Sequence, residues 1–152
     1  MQLQNYCVVP YRVSDVGVEF CLVTPIGETR WTFPHIPTDD PGCPPETLLE
    51  PTAASVGLRG DLQSGEPLGS FVASRGNESC STSGYLMRVT QIEDTWPNQS
   101  TQRRHWCLPE EARIRIRRKP LRRFIDLALH QLSSGLRRSS TEKGRAPSGR
   151  DA

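Results

Sequence analysis

Long apolar runs are missing from this chain of 152 residues, of which 35% are hydrophobic. No segment approaches the roughly 20 apolar residues that a helix needs to cross a bilayer. No basic and then apolar leader opens the sequence either. A chain of this length fits one domain with a modest core. We therefore expect a domain over residues 1–132 that stays in the cytoplasm and makes no contact with membranes.

Paired cysteine motifs are missing as well. Neither C-x-x-C nor any Cys/His zinc spacing occurs. This pattern favours reduced thiols in a reducing cytoplasm, and it predicts no metal site built on cysteine. The five cysteines are Cys7, Cys21, Cys43, Cys80 and Cys107.

A strong overall charge is also lacking, because the formal net charge is only +2. The two signs are nevertheless separated along the chain. Acidic residues dominate between Glu46 and Asp94, whereas arginines crowd the chain after Gln102. An anionic partner is therefore expected to meet the C-terminal half.

The first part of the chain has the patterns of β-structure. Alternating β-branched and aromatic residues predict a hairpin from strands at 6–13 and 18–24, followed by a short third strand at 30–33. A second antiparallel pair is predicted at 66–74 and 81–92, around the polar turn at 75–78. Sheet structure is thus expected to form most of the domain.

Helical signals lie in the middle and at the end of the chain. A marginal helix over 46–56 should end at Gly57, and Pro51 is expected to break or restart it. Pro109 favours a second helix start, and an apolar stripe over 121–132 predicts a core helix. Residues 133–152 carry few apolar side chains and predict a disordered basic tail.

One segment, 31–60, reads WTFPHIPTDDPGCPPETLLEPTAASVGLRG and resembles the Nudix box, whose pattern is G-x5-E-x7-R-E-U-x-E-E-x-G-U with U a bulky aliphatic. Aligned on Gly57, the segment has Glu50 at the family's Arg position. Pro51 stands at the first Glu position, and Ala54 and Ser55 replace the Glu pair. The resemblance thus implies a box that has lost all three metal-binding positions.

Loss of those carboxylates bears directly on the chemistry. Diphosphate hydrolysis needs divalent cations to neutralise charge and activate water, and Mg²⁺ prefers oxygen ligands. Proline, alanine and serine cannot supply that charge. Glu46 and Glu50 remain nearby at a spacing of four residues, which makes them weak catalytic candidates. The sequence therefore predicts a pseudoenzyme with no metal and no other cofactor.

The order of predicted elements is similar to the Nudix fold, an α/β/α sandwich with a mixed β-sheet, over residues 4–132. Within that superfamily the pattern is nearest to the diphosphoinositol polyphosphate phosphohydrolase branch. The motifs that carry this likeness are Gly57-Leu58-Arg59-Gly60, Gly69-Ser70-Phe71, Tyr85-Leu86-Met87-Arg88-Val89-Thr90, Trp96, Arg103-Arg104-His105-Trp106 and Glu110-Glu111-Ala112.

The resemblance implies a groove for nucleotides or polyphosphorylated small molecules. Arg103, Arg104 and His105 match the family's basic approach to its tryptophan, and guanidinium groups suit phosphate. His35 stands where the family often has lysine. These four residues are the predicted substrate-binding set, and a non-catalytic binder of such ligands is the predicted function.

Two other functions stay open. The first is an active, Mg²⁺-dependent hydrolase that recruits metal ligands from outside the box. The second is an RNA or protein interaction factor that acts through the arginine-rich region 113–123 and the basic tail. The acids that could serve the active hydrolase are Asp39, Asp40, Glu66, Glu78, Glu93, Glu110 and Glu111.

Overall fold

The computed structural model describes residues 2–38 and 43–144. Across these residues it shows seven strands, three helices and one 3₁₀ turn. The strands are β1 (Gln2–Ser14), β2 (Gly17–Val23), β3 (His35–Thr38), β4 (Leu58–Leu62), β5 (Gly69–Arg75), β6 (Glu78–Ile92) and β7 (Arg104–Cys107). The 3₁₀ turn is Pro45–Leu48, and the helices are α1 (Leu49–Val56), α2 (Pro109–Arg115) and α3 (Lys119–Gly144).

All seven strands belong to one sheet, whose main path runs β4-β6-β1-β2-β7. The strand β3 pairs with β1, and β5 pairs with β6. The long strands β1 and β6 run parallel, while every other pairing of these strands is antiparallel. The sheet is therefore mixed, as the sequence predicted.

Helices cover both faces of this sheet. On one face Val56 of α1 and Leu48 of the 3₁₀ turn pack against Val8 and Met87. On the other face α2 and α3 cover a second core. Its buried members include Val9, Phe20, Leu22, Leu86, Ala112, Leu121, Phe124 and Ile125. Alternate side chains of a strand point to opposite faces, so one sheet supplies both cores. The predicted α/β/α sandwich is confirmed.

Both predicted hairpins form, but the predicted third strand is wrong. Within 30–33 only Thr32 pairs, through a single bridge to Val23. The chain then changes partner, and β3 begins at His35 opposite Cys7. Pro34 stands between the two pairings and has no N–H to continue a ladder.

The helix predicted over 46–56 forms in two parts. A 3₁₀ turn comes first, and α1 starts at Leu49. The break therefore precedes Leu49 and does not fall at Pro51. Pro51 lies in the first turn of α1, where its missing N–H has no intrahelical partner to lose. Gly57 ends the helix with φ 70°, in the left-handed conformation that the sequence predicted.

The arginine-rich stretch after Pro109 is helical through Arg115, and α3 continues to Gly144. Composition predicted a disordered tail from residue 133, yet the backbone of 133–144 is helical. Extending an existing helix is far easier than nucleating one. The remaining tail, 145–152, and the aspartates at 39–40 lie outside the described residues. Among the helices that the structure describes, none is long and apolar enough to span a membrane.

Substitution of Gly60 tests the register between β4 and β6. This residue lies at a β-bulge where β4 pairs with β6, and a Cβ there would overlap the Arg88 carbonyl oxygen. Since backbone must move, we expect Gly60→Ala to lower the free energy of unfolding by about 1 to 3 kcal/mol in a urea titration. Gly65→Ala is the control, because a Cβ at Gly65 would meet nothing within 4 Å. Equal stability of the two variants would contradict this register.

Candidate functional site

A cleft of about 330 Å³ opens beside the C-terminal half of α1, where β2 ends and β3 begins. Arg30, His35 and Arg118 line it together with Ser55 and Thr32. Among the described residues that line the cleft there is no Asp or Glu. The described lining of the cleft is therefore basic, and Ser55 is the one altered box position that belongs to it.

His35 is held in one orientation within this cleft. Its Nδ1 lies 2.7 Å from the carbonyl oxygen of Phe33, so Nδ1 carries the hydrogen and donates it to that carbonyl. Burial lowers the pKa of His35, and the positive charges of Arg118 and Arg30 lower the pKa further. The ring is thus neutral near pH 7, with Nε2 as an acceptor.

Two buried hydroxyls near α1 have no hydrogen-bond partner among the residues that the structure describes. The Oγ1 of Thr32, which belongs to the cleft wall, is one of them, and the residue is only 4% exposed. The other is Oγ1 of Thr52, at the position where the Nudix pattern has a bulky aliphatic. An unsatisfied buried hydroxyl costs about 1 to 3 kcal/mol. The Thr32 hydroxyl therefore lies behind the surface of the cleft with an unmet hydrogen-bonding capacity.

The remaining box positions face solvent or the cleft. Pro51 and Ala54 are exposed, and Ser55 is half-buried in the cleft wall. Glu46 and Glu50 are both exposed, and neither lines the cleft. The two weak catalytic candidates are thus placed on the solvent side.

The acids considered as replacement ligands are scattered. Glu93 pairs with Arg59 at 3.1 Å, and Glu111 pairs with His105 and Arg115. Glu66, Glu78 and Glu110 are exposed. Within residues 2–38 and 43–144, three side chains that could ligate a metal come together in one place only. That group contains a single carboxylate. No three carboxylates of these ranges meet at a common point.

Arg104 lies where the sequence predicted a substrate-binding residue, but its guanidinium is already engaged. It donates to the carbonyl oxygens of Val56 at 2.9 Å, Gly57 at 3.3 Å and Glu93 at 2.7 Å. It also stacks on Trp96, with Cζ 3.8 Å from the ring centroid. Arg104 therefore caps the C-terminus of α1, where cations are favourable.

The neighbours of Arg104 lie on a shallow depression next to the cleft. Arg103 is exposed, with its guanidinium 5.1 Å from the ring centre of Trp31. The Nε2 of His105 lies 2.7 Å from Glu111 Oε2. Gln102 lines both the depression and the cleft. The structure thus places Arg103, Arg104 and His105 around one depression, with His35 in the adjoining cleft.

The arginine-rich region divides into side chains with and without an acidic partner. Arg113 pairs with Asp126 at 2.6 Å, and Arg115 pairs with Glu111 at 2.5 Å. Arg118 lies 5.4 Å over the Phe71 ring and also reaches the cleft. Part of this region is therefore structural, and one arginine serves the candidate site.

Three of the five cysteines are buried, and no disulfide links any of them in the described chain. Burial raises the pKa of Cys21 to about 12 and that of Cys107 to about 11, and the nearby Glu111 raises the pKa of Cys107 further. Such thiols are poor nucleophiles. The cysteines add no nucleophile to the cleft.

Solved structures similar to this chain include Nudix hydrolases. The Ap4A hydrolase of C. elegans matches with a TM-score of 0.69 and 15% identity, covering 87% of this chain and 99% of that one. A Nudix hydrolase from Nitrosomonas europaea matches with a TM-score of 0.64 and 12% identity, covering 86% and 90%. The C-terminal domain of mouse MUTYH, solved in complex with human PCNA, matches with a TM-score of 0.61 and 15% identity, covering 88% and 91%.

No protein-family model matches the sequence, and no curated protein matches it. The structural likeness, at such low identity, defines the fold. The chain has the Nudix fold.

Sequence patterns identified His35 but missed three members of the cleft. Arg30 and Arg118 are far apart in sequence and meet only through the β2–β3 connection and the α2–α3 junction. The third member is Thr32, and the strand predicted over 30–33 gives no indication that this residue lies at a cleft. The sequence feature that could have indicated the cleft is the position of Arg30, immediately before Trp31 at the start of the box-like segment.

Arg104 provides the first test at this site. Arg104→Met should lower the free energy of unfolding by about 2 to 4 kcal/mol, because three carbonyl oxygens lose a charged donor. Arg103→Met is the matched control and should stay within about 0.5 kcal/mol, since Arg103 is exposed. Chemical denaturation measures both. Similar losses would show that Arg104 has no capping role.

His35 provides a pH test. Folding lowers the pKa of His35 from 6.5. As the pH falls, the unfolded chain therefore binds a proton at His35 that the folded chain does not bind. Stability should therefore decline as the pH falls below about 6.5, and by more in the natural chain than in His35→Gln. The Gln amide can still donate to Phe33. His130→Gln, at an exposed site, is the control, and identical pH profiles for all three chains would show that burial of His35 does not couple folding to pH.

Proposed function

We propose that this protein is a non-catalytic binder of a nucleotide or another polyphosphorylated small molecule, and that it holds the anion directly, without a metal ion. The observation that carries the proposal is the charge of the cleft beside α1. Arg118, Arg30 and His35 line it, and no described acid does. Arg30 pairs at 2.7 Å with Glu28, which lies outside the lining, so Arg118 supplies the main positive charge. A site of that sign attracts phosphate and repels Mg²⁺.

The cleft also has the donors that a phosphate needs. Guanidinium groups make charge-assisted and often paired hydrogen bonds to phosphate oxygens. A bound anion would favour the protonated form of His35, so affinity should be highest below the pKa of the free site and should fall as the pH rises through the pKa of the bound site.

Size and surroundings support a ligand with more than one phosphate. A volume of about 330 Å³ is near the lower end of small-molecule sites. The shallow depression that shares Gln102 extends the surface toward Arg103 and Trp31. One structural neighbour is an Ap4A hydrolase, and Ap4A is a dinucleoside polyphosphate. A phosphate chain in the cleft with its remainder over the depression would fit this arrangement.

Thermal-shift titration tests the proposal. ATP, Ap4A and inositol hexakisphosphate should each be titrated in EDTA and again in Mg²⁺, since a ligand of the native state raises its stability by mass action. At least one should raise the Tm in EDTA. Arg118→Gln and Arg30→Gln should each weaken that ligand roughly tenfold.

Arg88→Gln is the control, because Arg88 is exposed on β6 and does not line the cleft. Loss of binding in this control, or stabilisation only when Mg²⁺ is present, would contradict the proposal.

The hydrolase alternative predicts a different result. If the chain is an enzyme, phosphate release from these compounds should need Mg²⁺ and should fall in Glu46→Gln, Glu50→Gln or Glu93→Gln. The scattered placement of the acids favours no turnover in any of them. Metal-dependent turnover that one of these variants abolishes would replace the binding proposal by the enzyme.

The interaction-factor alternative rests on the exposed arginines Arg117 and Arg123 and on the tail. Binding of RNA through this region should weaken steeply with salt. Deletion of 133–152 should remove such binding and leave small-ligand stabilisation unchanged. RNA binding that survives high salt and the deletion would exclude this role for the tail.

A further inference from the structure

A second cluster of polar side chains lies apart from the cleft wall, where β7 meets α2. His105 and Cys107 are two residues apart on β7, so both side chains point to the α2 side of the sheet. Glu111 follows Cys107 by four residues, in the first turns of α2. One ligating atom from each of the three lies within 4.8 Å of the other two.

We infer that His105, Cys107 and Glu111 form a binding site for a divalent cation of the Zn²⁺ class. The three donors are an imidazole nitrogen, a sulfur and a carboxylate oxygen. Imidazole and thiolate together select zinc or cobalt over Mg²⁺ and Ca²⁺, which take oxygen ligands. The site is therefore different in chemistry from the lost magnesium site of the box.

The ligating atoms lie within 4.8 Å of one another, so side-chain movements can bring them to the geometry of a zinc site. Tetrahedral zinc, with bonds of about 2.0 to 2.3 Å, keeps its ligand atoms about 3.3 to 3.8 Å apart. The His105 to Glu111 contact of 2.7 Å is a hydrogen bond that must open by a fraction of an ångström. Both residues are half-exposed, so side-chain rotation there is unhindered by the core. Cys107 is 3% exposed and stays fixed by the sheet.

Three protein ligands leave a fourth position. Cys107 closes the site on the core side, while the half-exposed His105 and Glu111 leave it open toward solvent. A water molecule or an anion can occupy such a position, as in open zinc sites generally.

Arg115 sets the strength of this site. Its Nε donates to the same Oε2 of Glu111 that would ligate the cation, at 2.5 Å. The guanidinium therefore competes with the cation for the carboxylate, and its charge repels the cation. Removing the charge should strengthen metal binding, which is the opposite of what the loss of a ligand does.

Cobalt(II) titration of the full, chelator-treated chain tests the inference. About one equivalent should bind and give the near-ultraviolet absorption of a cobalt–thiolate bond, and Zn²⁺ should displace it. The absorption should vanish in Cys107→Ser and persist in Cys80→Ser. Glu111→Gln, a surface change, should weaken binding roughly tenfold or more, and Arg115→Gln should tighten it.

Each contrary result overturns the inference. The site is excluded if the natural chain gives no thiolate absorption, if the absorption follows Cys80 in place of Cys107, or if Glu111→Gln binds cobalt as tightly as the natural chain. Unchanged affinity in Arg115→Gln would likewise contradict Glu111 as a ligand. The metal site lies outside the anion cleft, although His105 and Arg115 also line the adjoining depression. Arg30→Gln and Arg118→Gln should therefore leave cobalt binding intact.

Discussion

The parallel pairing of β1 with β6 is the constraint on which the rest of the structure depends. Residues 2–11 of β1 pair with 79–88 of β6 in the middle of the sheet. Successive residues of these strands point to opposite faces, so the same pairing supplies Val8 and Met87 to the core under α1 and Val9 and Leu86 to the core under α2 and α3. A slip of one residue would move the side chains of one strand to the opposite faces and disrupt the packing of both cores.

The candidate cleft lies at the margin of this frame and contributes little to it. The box positions Pro51 and Ala54 are exposed, while the buried side chains of α1 and its flanks, Leu48, Val56 and Leu58, belong to the core. The exposed residues at these positions therefore contribute little to the packing. Functional residues are commonly retained at some expense of stability, so the side chains at these positions can differ without a change in the shape of the fold.

Sequence patterns predicted the parts of the fold that rest on local chemistry. The two hairpins, the αL glycine at Gly57 and the Pro109 helix start all follow from short-range rules. The fourth and seventh strands were not predicted, because each is only four or five residues long. Their pairing is with strands distant in sequence. The helical backbone of 133–144 was missed because composition reports apolar content and not the continuation of a helix.

The features of the candidate site likewise divide into those that sequence patterns predict and those that they do not. Absence of the box carboxylates is visible in the sequence itself, and it leads to the expectation of a pseudoenzyme. The roles of the arginines are not visible in the sequence. Arg103 and Arg104 are adjacent in sequence but lie on opposite faces of one strand end. Arg104 caps α1, and the cleft instead takes Arg30 and Arg118 from two separate connections. Contacts of that kind depend on tertiary structure, which no single-sequence pattern encodes.

Isothermal titration of the natural chain with ATP in excess EDTA tests the central claim most directly. We expect measurable heat of binding with no divalent cation present, and an affinity that Mg²⁺ lowers by competing for the phosphates. Binding that appears only after Mg²⁺ is added, accompanied by release of phosphate or diphosphate, would contradict metal-free anion binding.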